Sequence, residues 1–287
     1  MPMKLDESSI DVNGSSVNVA EGPADGPPLL FLHGVLRRWQ DFLPLLPALS
    51  VHRQPVALDF RGHGRSGPRP NRYRVFDYVE DVLALLPHAR QPWVIYGHSL
   101  GAMVALAAAA SPLADHCRAL VLEDPPFETM GALIRQTPFH SQFSGMRPLA
   151  GSPRPVAEVA NELAKVIVKM PDGTDPPLGQ LRDAASLRFS ARCLKDVDPE
   201  VFAPILAGEW LQEYDLGEII AGVRCPVLLL EADAHAGGML REEDADRLEL
   251  ELPDCTRVRF PGAGHLLHWT NTGAVLRAVT AFLESLE

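Results

Sequence analysis

The chain has 287 residues, a length that fits one large domain or one domain with an insertion and that buries a core without a disulfide or metal staple. Hydrophobic residues make up 46% and charged residues 22%, which excludes a largely disordered or fibrous protein. The 26 basic against 37 acidic side chains give a net charge of −11, which disfavours nucleic acid as a partner and argues against an anionic membrane surface.

Residues 1–12 carry Lys4 but no apolar run of the signal-peptide kind. Alternation of Ile10, Val12, Val17 and Val19 around Asn13-Gly14 predicts an N-terminal β-hairpin. Short apolar runs then follow at 28–33, 55–59, 93–97, 119–123, 226–231 and 256–260, each the length of a strand buried on both faces. Helical spacing separates several of them. A short or broken helix is expected over 42–49, where Pro44 and Pro47 intervene. Longer ones are expected over 75–86, 100–110 and 274–286. The 100–110 run is apolar and Ala-rich, but too short for a bilayer span of ~20 residues. Strands alternating with helices predict an α/β domain with a mostly parallel, doubly wound sheet.

The alternation stops between Pro125 and Gly222. Helical pieces at 155–168, 178–187 and 201–206 are joined by Pro/Gly-rich stretches such as 171–173, and no strand-like run interrupts them. The expected division is a core of residues 1–124 and 223–287 with a helical cap at 125–222. Cys117, Cys193, Cys225 and Cys255 are scattered without a C-x-x-C pair or zinc spacing, so they read as reduced thiols of a cytoplasmic protein.

The strongest chemical signal is Gly97-His98-Ser99-Leu100-Gly101, which fits the G-x-S-x-G nucleophile elbow and lies between a strand and a helix as that motif requires. The flanking glycines let backbone pass close by, and the helix start aims amides at a developing oxyanion. Ser99 is therefore the candidate nucleophile. Its hydroxyl needs a base, and the base needs an orienting acid. His265, in Gly262-Ala263-Gly264-His265 beyond the last strand, is the candidate base. His268 reads as packing or capping, His98 as a structural elbow residue, His63 as packing or rim, and His33 as a loop-fixing hydrogen bonder. Two carboxylates compete for the acid. Asp233 follows the 226–231 strand and gives the chain order Ser, Asp, His. Glu123 ends the 119–123 strand, with Asp124 beside it.

These residues resemble the α/β-hydrolase superfamily in its helically capped branch. The likeness runs over nearly the whole chain, through His33-Gly34, Asp59-Phe60-Arg61-Gly62-His63-Gly64-Arg65-Ser66, the elbow, and Gly262-Ala263-Gly264-His265. The resemblance implies Ser99 as nucleophile, His265 as base, and the backbone amides of Val35 and Leu100 as the oxyanion hole. The family's usual Gly-x-x-Asp pattern is replaced here by Glu231-Ala232-Asp233. Some members place the acid at the end of the preceding sheet strand, where Glu123 matches. A serine at position 99, rather than an aspartate, argues against the epoxide-hydrolase and haloalkane-dehalogenase branches.

The function expected from the sequence is hydrolysis of a small hydrophobic carboxylic ester or lactone, with no metal and no organic cofactor. Phe127, Met130, Phe139 and Phe143, with Ile134 and Met146, are the candidate lining of an acyl pocket. The same triad serves carbon–carbon bond hydrolysis and cofactor-free perhydrolysis, and a non-catalytic ligand receptor is the alternative of a different class.

Overall fold

In a computed structural model of the chain, residues 5–89, 91–170 and 172–286 are described. Residues 1–4 of the N-terminal stretch and Pro171 of the 171–173 joint lie outside the described residues. The apolar runs form strands at or within one or two residues of their expected positions. They are β1 (Asp6–Val12), β2 (Ser15–Glu21), β3 (Pro28–Leu32), β4 (Gln54–Leu58), β5 (Trp93–His98), β6 (Cys117–Glu123), β7 (Val227–Ala232) and β8 (Cys255–Phe260). They join in one sheet in the order β1-β2-β4-β3-β5-β6-β7-β8. The hairpin β1-β2 turns at Asn13 and Gly14, both at positive φ, and β2 runs antiparallel to β4. From β4 to β8 every pairing is parallel.

Both faces of the parallel strands are covered, which is why they read as continuous apolar runs. Alternate residues point into two separate clusters. Leu30, Leu32, Val56 and Ile95 join one with the helices Val75–Leu85 and Leu100–Ala109. Leu29, Phe31, Val94 and Tyr96 join the other with the helix Thr272–Glu284. The Leu100–Ala109 helix is buried on every side, and its small residues let it lie against the sheet. On Val75–Leu85 the buried stripe is Val75, Tyr78, Val79, Val82 and Leu85, while Phe76 is 41% exposed.

Between β6 and β7 the described chain is helical. An isolated antiparallel bridge joins Ile167 to Pro177. The helix expected over 178–187 divides into Leu178–Leu181 and Ala184–Leu194. Asp183 breaks it: its carboxylate accepts from the amides of Ala185 and Ser186 and starts a new helix. Arg182 is left extended at the junction. A further helix, Glu242–Glu251, had no counterpart in the sequence reading because its apolar stripe shrinks to Ala245 and Leu248. Among the described residues all four cysteines are free, and no helix is long and apolar enough to cross a membrane.

The register of the parallel strands brings their C-terminal ends together, pairing Leu32 with Gly97, His98 with Glu123, and Glu123 with Leu230. The crevice beyond such ends is where sheets of this kind place their ligands. Close approach of the elbow helix to β3 depends on Gly101, where an added Cβ would lie 1.9 Å from the Leu32 carbonyl oxygen. Gly101→Ala is expected to destabilise the protein by about 3 kcal/mol or more through overpacking. Gly273→Ala, whose new Cβ meets nothing closer than an Arg277 nitrogen at 3.6 Å, is expected to stabilise by roughly 0.5–1 kcal/mol. Urea-unfolding midpoints of the two variants check both signs.

Candidate active site

Ser99 occupies the turn between β5 and the helix Leu100–Ala109 with φ 54° and ψ −116°, a conformation an L-residue holds only when its surroundings enforce it. The glycines on either side have no room for a side chain. A Cβ on Gly97 would lie 2.3 Å from the Gly101 carbonyl oxygen, and one on Gly34 would lie 3.2 Å from the Ser99 Cβ. Ser99 is held from behind by its own N–H, which donates to the Glu123 carbonyl at 2.9 Å.

Ser99 and His265 both line one cavity of about 580 Å³. His265 Nδ1 lies 2.6 Å from Asp124 Oδ2. Asp124, fully buried, follows directly on β6 at φ 45°. Its carboxylate also accepts from the backbone amides of Met239 (2.8 Å), Leu240 (3.2 Å) and Ala232 (3.3 Å). Three amides and an imidazole leave the carboxylate no freedom to turn. With Nδ1 committed to Asp124, Nε2 is the nitrogen left for chemistry.

Neither carboxylate expected from the sequence contacts His265. Asp233 caps a short turn at the surface and accepts from the amides of His235 (2.9 Å) and Gly262 (2.8 Å), which lower its pKa. Its own N–H donates to the Ala263 carbonyl, so it pins the loop leading to His265. Glu123 is turned to the other side of β6, where it holds His268 at 2.7 Å and accepts from the Tyr96 hydroxyl. The carboxylate at His265 is one residue further on than the Glu123 reading.

The other histidines divide by their hydrogen bonds. His98 Nε2 lies 3.0 Å from the His265 carbonyl oxygen, and burial depresses its pKa to about 3, so a neutral ring donates to the backbone of His265. That positioning contact has no signal in the sequence. His33 accepts from the Phe60 amide at Nε2 and donates from Nδ1 to the Gly34 carbonyl, with burial lowering its pKa to about 4. It fixes the loop that carries Val35. Among the described residues neither the Val35 nor the Leu100 backbone N–H donates to a backbone carbonyl, and both residues adjoin Ser99 or face the same cavity. His63 is buried, with its Nδ1 on the Arg61 carbonyl.

His268 lies beneath this layer. Burial alone would lower its pKa, but the Glu123 and Asp41 carboxylates outweigh it and raise the value to about 9. Those charges act in return. Glu123, which burial would push up, is held at about 2 chiefly by His268, and Asp41 falls well below the carboxylate range through Arg37 and His268.

Of the expected pocket residues, Met130, Phe139 and Phe143 line the cavity, as does Met146. Phe127 does not. Phe127 is buried beside Tyr214, with ring centroids 6.4 Å apart. Arg37 and Arg182, which the sequence reading passed over, line the cavity as well. Arg37 directly follows the loop of His33 and Val35, a placement visible in the sequence, whereas Arg182 is exposed to view only by the helix break at Asp183.

A family model described as the alpha/beta hydrolase family matches residues 29–278. A 2-(acetamidomethylene)succinate hydrolase of Mesorhizobium japonicum is 28% identical, the match covering 96% of this chain and 94% of that protein. A crystal structure of E-2-(acetamidomethylene)succinate hydrolase superposes with a TM-score of 0.74 at 25% identity, over 98% of this chain and 99% of the other. An enol-lactonase from Burkholderia xenovorans shares the fold with a TM-score of 0.74 at 19% identity, over 96% and 100% of the two chains.

Asp124→Asn is expected to lower kcat for a small activated ester by about 10⁴-fold, the scale of the same change in a serine-protease triad, while Asp233→Asn and Glu123→Gln cost far less in kcat. Steady-state kinetics of the three variants decide it. The buried His268 pair has a pH signature of definite sign. Its folded pKa of about 9 exceeds the ordinary 6.5, so its stabilisation is complete below pH 6.5 and is lost as pH rises through 9. The ring nitrogen shifts of His268 should remain those of imidazolium at pH 8, and the urea midpoint should decline between pH 6.5 and 9.

Proposed function

The chain belongs to the alpha/beta hydrolase family and is a hydrolase, and from that premise we propose that it cleaves a carboxylic acyl bond through an acyl-enzyme on Ser99. The ester or lactone is the substrate class of this reading. The observation that carries it is the 2.6 Å contact of His265 Nδ1 with a fully buried Asp124, made over the same cavity that Ser99 enters from a strained elbow. Residues 125–222 act as the cap that closes this cavity.

His265 Nε2 takes the Ser99 proton as Oγ attacks the carbonyl carbon, and the carbonyl π electrons move onto its oxygen. The amides of Val35 and Leu100 stabilise that oxyanion. The tetrahedral adduct collapses, the bond to the leaving oxygen breaks, and imidazolium returns its proton to the leaving group. Water then adds to the acyl carbon with His265 as base, and Ser99 leaves with the proton restored. Asp124 keeps Nδ1 protonated and the ring oriented throughout, and supports the imidazolium while it exists.

A second reading replaces the leaving oxygen by nitrogen. It is favoured by the relative that matches 96% of this chain, whose name specifies an acetamido group. The steps are the same, with His265 protonating the departing nitrogen.

Incubation with a fluorophosphonate, followed by peptide mapping, is expected to give a single adduct on Ser99 that is absent from His265→Ala. Ser99→Ala is expected to lose at least about 10³-fold in turnover of 4-nitrophenyl butyrate. Equal turnover by the wild type and Ser99→Ala overturns the assignment.

A further inference from the structure

The cavity wall holds an uncompensated positive charge. Arg182 extends from the break between the helices Leu178–Leu181 and Ala184–Leu194 and lines the cavity together with Ser99 and His265. Its backbone N–H is used by the Leu178 carbonyl, but among the described residues its guanidinium makes no hydrogen bond and no ion pair. Desolvation lowers its pKa to about 10, and the next contribution is the like charge of Arg37.

Arg37 stands on the same cavity and is anchored. Its Nε lies 3.0 Å from both oxygens of Asp41, its Nη1 donates to Ser190 Oγ at 3.1 Å, and its guanidinium carbon sits 4.8 Å from the centre of the Phe189 ring. The remaining ionisable groups on the wall do not answer Arg182. His98 is neutral, His265 is paired with Asp124, and His235 lies on an exposed turn. Asp183 is exposed, and its Oδ1 is engaged by the amides of Ala185 and Ser186.

A half-buried guanidinium with no counter-ion among the described residues gains a charge-assisted partner from an anionic ligand that reaches it. We infer that the substrate carries a carboxylate, and that Arg182, with Arg37 alongside, is the subsite that binds it. A carboxylate fits better than a phosphate. The amides a phosphate would also take at the start of the helix Ala184–Leu194 are already occupied by Asp183, whereas a carboxylate needs only the guanidinium fork. The apolar side chains Phe139, Phe143, Met146 and Leu178 on the same wall suit the carbon skeleton between carboxylate and acyl group. This inference rests on the acyl-transfer reading for what happens to the substrate, but not for what binds.

The test is calorimetric titration of the wild-type protein with succinate, glutarate and adipate, with the corresponding diamides, and with inorganic phosphate. At least one diacid is expected to bind tenfold or more tightly than its diamide, with affinity falling as salt rises. Arg182→Gln should erase that preference, and Arg182→Lys should restore part of it. The inference is overturned if every diacid binds no better than its diamide, if phosphate binds more tightly than all three diacids, or if Arg182→Gln keeps the preference. The wild-type comparison decides the matter even where a variant fails to fold. A Ser99 adduct without diacid selectivity removes the carboxylate subsite and leaves the acyl-transfer reading intact. Diacid selectivity without an adduct does the reverse.

Discussion

The C-terminal end of the parallel sheet rests on an imidazole buried between two carboxylates, which raise its pKa. His268 reaches Glu123 at 2.7 Å and Asp41 at 3.4 Å, and none of the three side chains has any solvent exposure. The chain of polar contacts runs further, from the Tyr96 hydroxyl to Glu123 at one end and from Asp41 to Arg37 and the Trp269 indole at the other. Its members come from β5, the end of β6, the segment after β3 and the segment after β8. Those four pieces of chain also carry the elbow, Asp124, Val35 and His265. Buried charges of this kind add little stability over apolar packing, yet removing one partner strands the rest, so the network sets the relative positions of its supports more than it adds to the fold's stability. Arg37 belongs both to this network and to the cavity wall, which ties the floor of the site to its ligand-facing surface.

The network also accounts for the division of labour between two adjacent acids. Glu123 is the last residue of β6, and its side chain takes the strand's alternation toward His268 and Phe42. Asp124 is the first residue after the strand, and its positive φ turns the carboxylate toward the amides of β7's following loop and toward His265. Aspartate accepts that backbone conformation more readily than glutamate, because its short side chain bonds locally. A reach argument places an acid at the end of β6 but does not choose between neighbours. The choice is made by side-chain direction, which changes sign with each residue along a strand.

The same distinction marks what was legible in the sequence. Strands buried on both faces announce themselves as short apolar runs, and the β3–β8 positions followed from them. Ser99 was legible because its motif encodes a backbone constraint, with glycines that the Leu32 and Gly101 carbonyls leave no room to replace. Asp233 was a natural candidate for the acid because it occupies the expected place in chain order. In the fold its carboxylate is consumed by loop amides. Phe127 was offered to the pocket by composition alone, and packing took it into the core instead. Arg182 was illegible for a different reason: residues 178–187 have helical spacing, and only the cap made by Asp183 converts one helix into two and leaves Arg182 extended at the joint, on the cavity wall.

Charge shows how local the site's character is. The protein as a whole carries −11, while its cavity wall presents Arg37 and Arg182. At physiological ionic strength the field of exposed carboxylates decays over about 8 Å, so a ligand inside the cavity is governed by the groups that line it. Asp41 neutralises Arg37 from the buried side and leaves Arg182 as the wall's cation without a side-chain partner among the described residues. A neutral hydrophobic ester would offer that half-buried charge no partner. A carboxylate supplies the missing partner and anchors one end of the substrate to residues on both sides of the cavity, Arg37 from the segment after β3 and Arg182 from the helices between β6 and β7. In the proposed acyl transfer, binding energy gained there is remote from the scissile bond, and remote binding is what orients an acyl group for attack by a serine whose own position is already fixed.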